Sequence, residues 1–149
     1  MGKQTTGIER IATNCIAGRL RLLNRVVTGL YDDALWPFGV RLSQGSVLAV
    51  TAKLGVARPA EVCEFLEMDT STLSRTVDRM VSNGWLEIVP DEDGRSQPFR
   101  LTAEGRRLLE RALPAWEEAQ AEAKKLLGDD GLRLLDAAIG RVKSAHAGA

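Results

Sequence analysis

Residues 69–84 read Asp-Thr-Ser-Thr-Leu-Ser-Arg-Thr-Val-Asp-Arg-Met-Val-Ser-Asn-Gly. Asp69 or Thr70 caps a helix there, and Asn83-Gly84 ends it, because glycine enters the left-handed conformation without a Cβ penalty. Advancing 100° per residue from Leu73 brings Val77, Met80 and Val81 within about 80° of it, as a stripe to be buried. Ser71, Thr72, Arg75, Arg79 and Ser82 fall on the opposite side, and Asp78 sits at its margin, within reach of either arginine. Short hydroxyls beside the free N–H groups and positive dipole of a helix N-terminus suit phosphates or base edges. Arginines one turn apart reach guanine edges or the backbone. Many surface helices carry Ser, Thr and Arg on their wet face, so the flanks decide the reading.

On the N-terminal side, Arg58-Pro59 opens a short helix with Val62, Cys63 and Leu66 on its buried side. A tight Glu67-Met68 connection joins it to the helix at Asp69. Before it, Ser43 is the expected N-cap of a helix with Val47, Leu48, Thr51 and Leu54 inside, closed by Gly55. On the C-terminal side the period changes. Trp85–Val89 and Phe99–Leu101 read as two strands, and the Pro90–Pro98 loop between them is too long for a tight hairpin. Arg95 stands at its tip beside Gly94, where an extended loop can put one arginine into a narrow minor groove. Asp91, Glu92 and Asp93 leave open the reading of an acidic, solvated turn, and Asp93 could brace Arg95.

Further out, apolar residues from Ile8 through Cys15, Val26 and Leu35 predict one long helix, stopped by Trp36-Pro37 and Gly39. Its length of about 28 residues exceeds the usual three turns of a small domain, so part of it is expected to pack on another copy of the chain. Thr102 caps a helix with Leu108, Ala112, Trp116, Ala119 and Ala123 on one face, and Pro114 is expected to kink it. Asp129-Asp130 starts a last helix through Leu135, Ile139 and Val142. Long helix, three short helices, hairpin, long helix and terminal helix is a winged helix-turn-helix order. The expected fold class is mainly α with a small β-hairpin wing.

At 149 residues the chain suits one domain, and 44% hydrophobic with 27% charged residues argues against disorder. Twenty basic residues balance twenty acidic ones, so any nucleic-acid contact must come from a local patch. No apolar run is long enough for a bilayer, and Met1-Gly-Lys-Gln-Thr-Thr lacks a secretory pattern, so the expected compartment is the cytoplasm. Cys15 and Cys63 form no CxxC pair and are expected to be reduced. His146 is the single histidine. It leaves no His-based metal spacing and no Ser/His/Asp or Cys/His triad, so no metal, no cofactor and no catalytic residue is expected.

Ser71–Arg79, Asn83-Gly-Trp-Leu86, Asp93-Gly-Arg95 and Leu101-Thr-Ala-Glu-Gly105, in that order, make the chain resemble the MarR family over nearly its whole length. The resemblance implies a homodimer built by helices in 8–36 and 102–146, with the winged helix-turn-helix region 43–101 inserted between them. It implies double-stranded DNA with a pseudo-palindromic operator as the partner, and repression relieved by a small-molecule effector or by thiol oxidation. By position, Ser71, Thr72, Ser74, Arg75 and Arg79 match the family's recognition-helix contacts, and Arg95 its wing arginine. The acidic wing tip departs from the more basic family pattern. Trp36, Phe38 and Trp116 are candidate lining residues for an aromatic or phenolic ligand, and equally suit a core or dimer seam. Cys15, with Arg19 one turn on, carries the alternative of an organic-hydroperoxide sensor, since a guanidinium favours the thiolate. That type surrounds its thiol with tyrosines, whereas this chain has only Tyr31, and a buried core cysteine is the competing reading.

Overall fold

Thr6 opens the first helix with a reciprocal cap: its hydroxyl accepts from the Glu9 N–H at 3.2 Å, and Glu9 Oε2 accepts from the Thr6 N–H at 2.6 Å. The computed structural model describes residues 6–148. The expectation drawn from Met1–Thr6 therefore lies, Thr6 apart, outside the described residues. Helix α1 covers Gly7–Asn14 and α2 covers Ile16–Leu35, with Cys15 between them in an extended conformation. The single helix expected across this region is thus two. Asn14 turns its side chain to accept from Arg19 Nη2 at 3.1 Å, and Gly18 adds little helix propensity just beyond the break.

A 3₁₀ turn, Trp36–Phe38, follows α2 and ends at Gly39 with φ 70°. Helix α3, Leu42–Leu54, starts before Ser43, and Arg41 takes the N-cap position. Asp32 Oδ1 accepts from the Leu42 N–H at 2.8 Å and Gln44 Oε1 from the Arg41 N–H at 3.0 Å. These two side chains serve the N–H groups just before Ser43, and with the helix already begun at Leu42, Ser43 is a first-turn residue rather than the cap. Helix α4 is Pro59–Leu66, and Glu67 turns the chain at φ 50° into α5, Thr70–Ser82.

The wing is a three-stranded antiparallel sheet in the order β1-β3-β2, made of Val56–Ala57, Phe99–Leu101 and Leu86–Ile88. Ala57, Phe99 and Ile88 share one register line, and Val56, Arg100 and Glu87 the next. The last element, α6, spans Ala103–Ala147 and is broken at Gly128, whose φ 66° and ψ 168° are not helical. That break precedes Asp129-Asp130, where the last helix was expected to begin. Pro114 sits within helical dihedrals, so the interruption falls at Gly128 rather than at the proline.

The main core gathers Val47 and Leu48 of α3, Val62 of α4, Leu73, Val77 and Met80 of α5, Leu86 and Phe99 of the wing, and Leu108 of α6. The buried Thr51 hydroxyl donates to Val47 O at 2.7 Å, so it carries no unpaired donor inside. Where α6 starts, Thr102 caps Gly105 at 3.0 Å and donates its hydroxyl to Gly84 O at 2.6 Å. Its N–H donates to Trp85 O at 3.0 Å. Gly105 lies against that same carbonyl so closely that a Cβ would stand 2.2 Å from it. A smaller cluster of Tyr31, Ala119 and Ala123 joins α2 to α6, with the Tyr31 hydroxyl hydrogen-bonded to Gln120 Oε1. Burial holds the Tyr31 phenol above its ordinary pKa. Among the described residues no helix is long and apolar enough to cross a membrane.

Candidate nucleic-acid interface

Helix α5 buries Leu73, Val77 and Met80 and leaves Ser71, Ser74, Arg75 and Arg79 exposed, with Thr72 half-buried. Asp69 caps it: Oδ1 accepts from the Thr72 N–H at 2.9 Å and the Ser71 hydroxyl at 2.7 Å, and Oδ2 from the Thr72 hydroxyl at 2.6 Å. These bonds, the Ser71 hydroxyl's foremost, hold the Asp69 carboxyl well below the usual carboxylate range, with Arg75 adding a smaller attraction. The N-terminus is therefore less open than expected from the sequence. One of its N–H groups and both hydroxyl protons are engaged by a carboxylate, which leaves lone pairs on Ser71 and Thr72 facing out. Arg75 and Arg79, one turn apart, supply the positive charge. Asp78 forms no ion pair with either among the described residues.

The wing is braced differently from expectation. Arg58, at the start of α4, donates from Nη1 to Ser96 Oγ at 2.9 Å and to Asp91 Oδ2 at 3.3 Å, while Ser96 Oγ donates to Asp91 Oδ2 at 2.9 Å. The Ser96 hydroxyl, then the Arg58 guanidinium, hold the Asp91 carboxyl below its usual range despite some desolvation. Only 15% of the Asp91 side chain remains exposed. One of the three wing acids is therefore turned inward, and Arg58 rather than Asp93 steadies the loop. No Asp93–Arg95 pair forms among the described residues, since Arg58 ties the loop at its base and leaves Asp93 and Arg95 at the solvated tip. Gly94, at φ 60°, makes the turn that exposes Arg95. At the hairpin's outer face Arg100 pairs with Glu87 at 2.5 Å.

Trp36, Phe38 and Trp116 are not brought together. Trp116 lines an apolar cavity of about 580 Å³ between α2, α3 and α6, with Leu35, Val40, Leu48, Leu108 and Leu113 among its walls. Its ring centroid lies 6.2 Å from that of Tyr31. Phe38 packs against the main core, and Trp36 stands 74% exposed on another cleft. Cys15 is exposed at the α1–α2 break rather than buried on an apolar face, and Arg19 bonds Asn14 instead of the thiol. Cys63 packs half-buried against the core. Among the described residues no cluster of His, Cys, Asp and Glu could hold a metal ion.

With that geometry in hand, a model of the MarR family matches residues 38–96, from the 3₁₀ turn into the wing. The Mycobacterium tuberculosis transcriptional regulator MosR, solved in complex with DNA, is 31% identical. It superposes with a TM-score of 0.76 over 88% of this chain and 97% of that one. The chain belongs to the MarR family. It is thus a transcriptional regulator with a DNA-binding winged helix. A mutant Escherichia coli MarR complexed with operator DNA superposes with a TM-score of 0.78 at 26% identity, over 89% of this chain and 96% of that one. The Bacillus subtilis HTH-type regulator YwoH is 31% identical over 86 residues, 58% of this chain and 63% of YwoH. Two features of the interface escaped the sequence reading, Arg58 as the wing brace and Arg41 beside Arg79. Neither has a local signal, because each meets its neighbours only through the fold.

Proposed function

We propose that the protein is a homodimeric repressor that seats α5 of each protomer in successive major grooves of a pseudo-palindromic operator in the cytoplasm. The exposed Ser71–Arg79 face of α5 carries this reading. Its donors and lone pairs suit base edges, Arg75 is placed for guanine or phosphate, and Arg95 reaches an adjacent minor groove from the braced wing. MosR and E. coli MarR, so similar in backbone, were each solved with DNA, which supports the same partner here.

Dimerisation is supported by what the single chain leaves uncovered. Ile8, Ile11, Ile16 and Leu20 near one end, and Leu134, Leu135, Ile139 and Val142 near the other, stand exposed on the helices flanking the winged region. Apolar faces of that extent mark association surfaces. The boundaries we assign are 8–36 and 102–146 for dimerisation and 43–101 for DNA binding.

For release, the apolar cavity beside Trp116 suits a small aromatic ligand, because it lies where α2 and α6 meet α3 of the winged region. Its polar lining includes Ser46 and Glu110, acceptors for a phenolic hydroxyl and poor company for a carboxylate. The test is sedimentation and DNA-shift titration with the intergenic DNA beside its own gene. The expected result is one dimer per site, half-sites about 34 Å apart, and release by a neutral phenol. Monomeric binding, or no preference over unrelated duplex, refutes the proposal.

A further inference from the structure

Arg41, at the N-cap of α3, and Arg79, in the last turn of α5, line one cleft of about 330 Å³ completed by Trp36, Gly39, Val40 and Gln44. Two arginines, far apart in the chain, thus line one cleft. Among the described residues neither has a carboxylate within 4 Å, whereas Arg58, Arg100, Arg107, Arg111 and Arg133 each have one. The Asp32 carboxylate, whose Oδ1 accepts the Leu42 N–H at 2.8 Å, forms no ion pair with either arginine among the described residues. Two positive side chains lining one cleft, neither in an ion pair, favour an anion between them.

Gln44 adds a donor to the cleft. Gln44 spends its carbonyl oxygen on the Arg41 N–H at 3.0 Å, which leaves its amide nitrogen as the free end. Trp36, exposed over most of its surface, forms a flat wall. Val40 is the aliphatic contribution, so the cleft lacks the apolar enclosure that would bury a small effector, which the cavity beside Trp116 does offer. Its position supplies the occupant. Arg79 lies one turn beyond Arg75 on the wet face of α5, so a duplex facing that helix brings backbone phosphates toward the same end.

We propose that Arg41 and Arg79 clamp a backbone phosphate of the operator, with Gln44 and Trp36 beside it, so that Arg41 adds to α5 a contact from outside the helix-turn-helix. The clamp rests on the reading of α5 as the DNA-facing helix and adds a contact that reads no sequence. A phosphodiester shares one negative charge over two non-bridging oxygens, and each oxygen can accept N–H bonds from one guanidinium. Arg79 then positions the protein on the backbone, and base discrimination belongs to Arg75.

The test is fluorescence anisotropy with an operator duplex and an unrelated duplex, over 50–200 mM salt, for wild type, Arg41→Ala and Arg41→Lys. Arg41 is exposed, so circular dichroism should show both variants folded. Arg41→Ala is expected to weaken both duplexes alike, by about threefold to tenfold, and to reduce the slope of log K against log salt by about 0.9 per protomer, or about 1.8 for the bound dimer. Arg41→Lys should recover most of the slope, because a phosphate accepts a point charge. Trp36→Phe should remove part of the intrinsic fluorescence change produced by duplex. An unchanged slope in Arg41→Ala, or a loss confined to the operator, overturns the clamp and leaves the reading of α5 intact. Failure of the wild type to bind any duplex overturns both.

Discussion

Replacing Gly105 by alanine should unsettle the junction where α6 leaves the wing. An added Cβ would stand 2.2 Å from Trp85 O and 3.0 Å from both Trp85 C and Leu101 Cδ1. Ordinary carbon–oxygen contacts begin near 3.3 Å, so the carbonyl must retreat by about 1 Å. It cannot yield as a side chain would, since it is backbone and accepts the Thr102 N–H at 3.0 Å. Forced overpacking costs about 1–3 kcal/mol, and weakening that hydrogen bond costs about 1 kcal/mol more. The better helix propensity of alanine returns up to about 1 kcal/mol. The net expectation is a loss of about 2 kcal/mol, or a fall in Tm of roughly 4–8 °C for a chain of this size. The assay is thermal and urea unfolding at matched protein concentration, with Gly29→Ala as control. Gly29 is helical with no heavy atom within 4 Å of its prospective Cβ, so that variant should match wild type or exceed it. Equal stability of Gly105→Ala and wild type would refute the close approach, and with it the account of how α6 holds the wing.

Three further outcomes are expected. Arg58→Ala frees Asp91 and Ser96 from the base of α4, so DNA affinity should fall several-fold while far-UV dichroism and unfolding stay close to wild type; unchanged affinity removes the brace from the account. Asp69, Asp91 and Glu104 have folded pKa values below their ordinary ones, Asp69 through Ser71 and Thr72, Asp91 through Ser96 and Arg58, and Glu104 through Arg107. Their stabilisation is therefore complete above about pH 5 and is lost as pH falls through the lowered folded values. Asp69→Asn should shallow the acid side of a stability–pH curve, and an unchanged acid slope contradicts the capping geometry. Finally, because Arg19 bonds Asn14 rather than the thiol, organic hydroperoxide should leave operator binding of wild type and Cys15→Ser alike; release of wild type alone would restore the sensor reading.

Helix α5 was legible because everything that defines it is local: the Asp69 cap, the Leu73–Met80 stripe and Gly84 lie within sixteen consecutive residues. The short helix α4 and the two wing strands were legible for the same reason. The two-residue strand β1 was not, since Val56 and Ala57 show no alternation and become a strand only through pairing with Arg100 and Phe99. Nor was the break at Cys15, where the apolar period continues across the interruption and only the Asn14–Arg19 hydrogen bond marks it. Asp91 and Ser96 lie 33 and 38 residues from Arg58, beyond any spacing rule. Ser43 lies inside the helix rather than at its cap because Asp32, from the preceding helix, holds the Leu42 N–H where α3 begins, one residue earlier. Charge balance misled in the other direction. Zero net charge hides a group of arginines at α5 that form no ion pair among the described residues, and the cleft lined by Arg41 and Arg79 emerges only in the fold.

The central claim is that α5 reads DNA sequence, and Arg75 tests it most directly. The measurement is the ratio of operator to unrelated-duplex affinity for wild type and Arg75→Ala at one salt concentration. The account predicts a loss of about 1–3 kcal/mol on the operator, a much smaller loss on unrelated DNA, and relaxed choice at one base position in each half-site. An affinity ratio that Arg75→Ala leaves unchanged would contradict it.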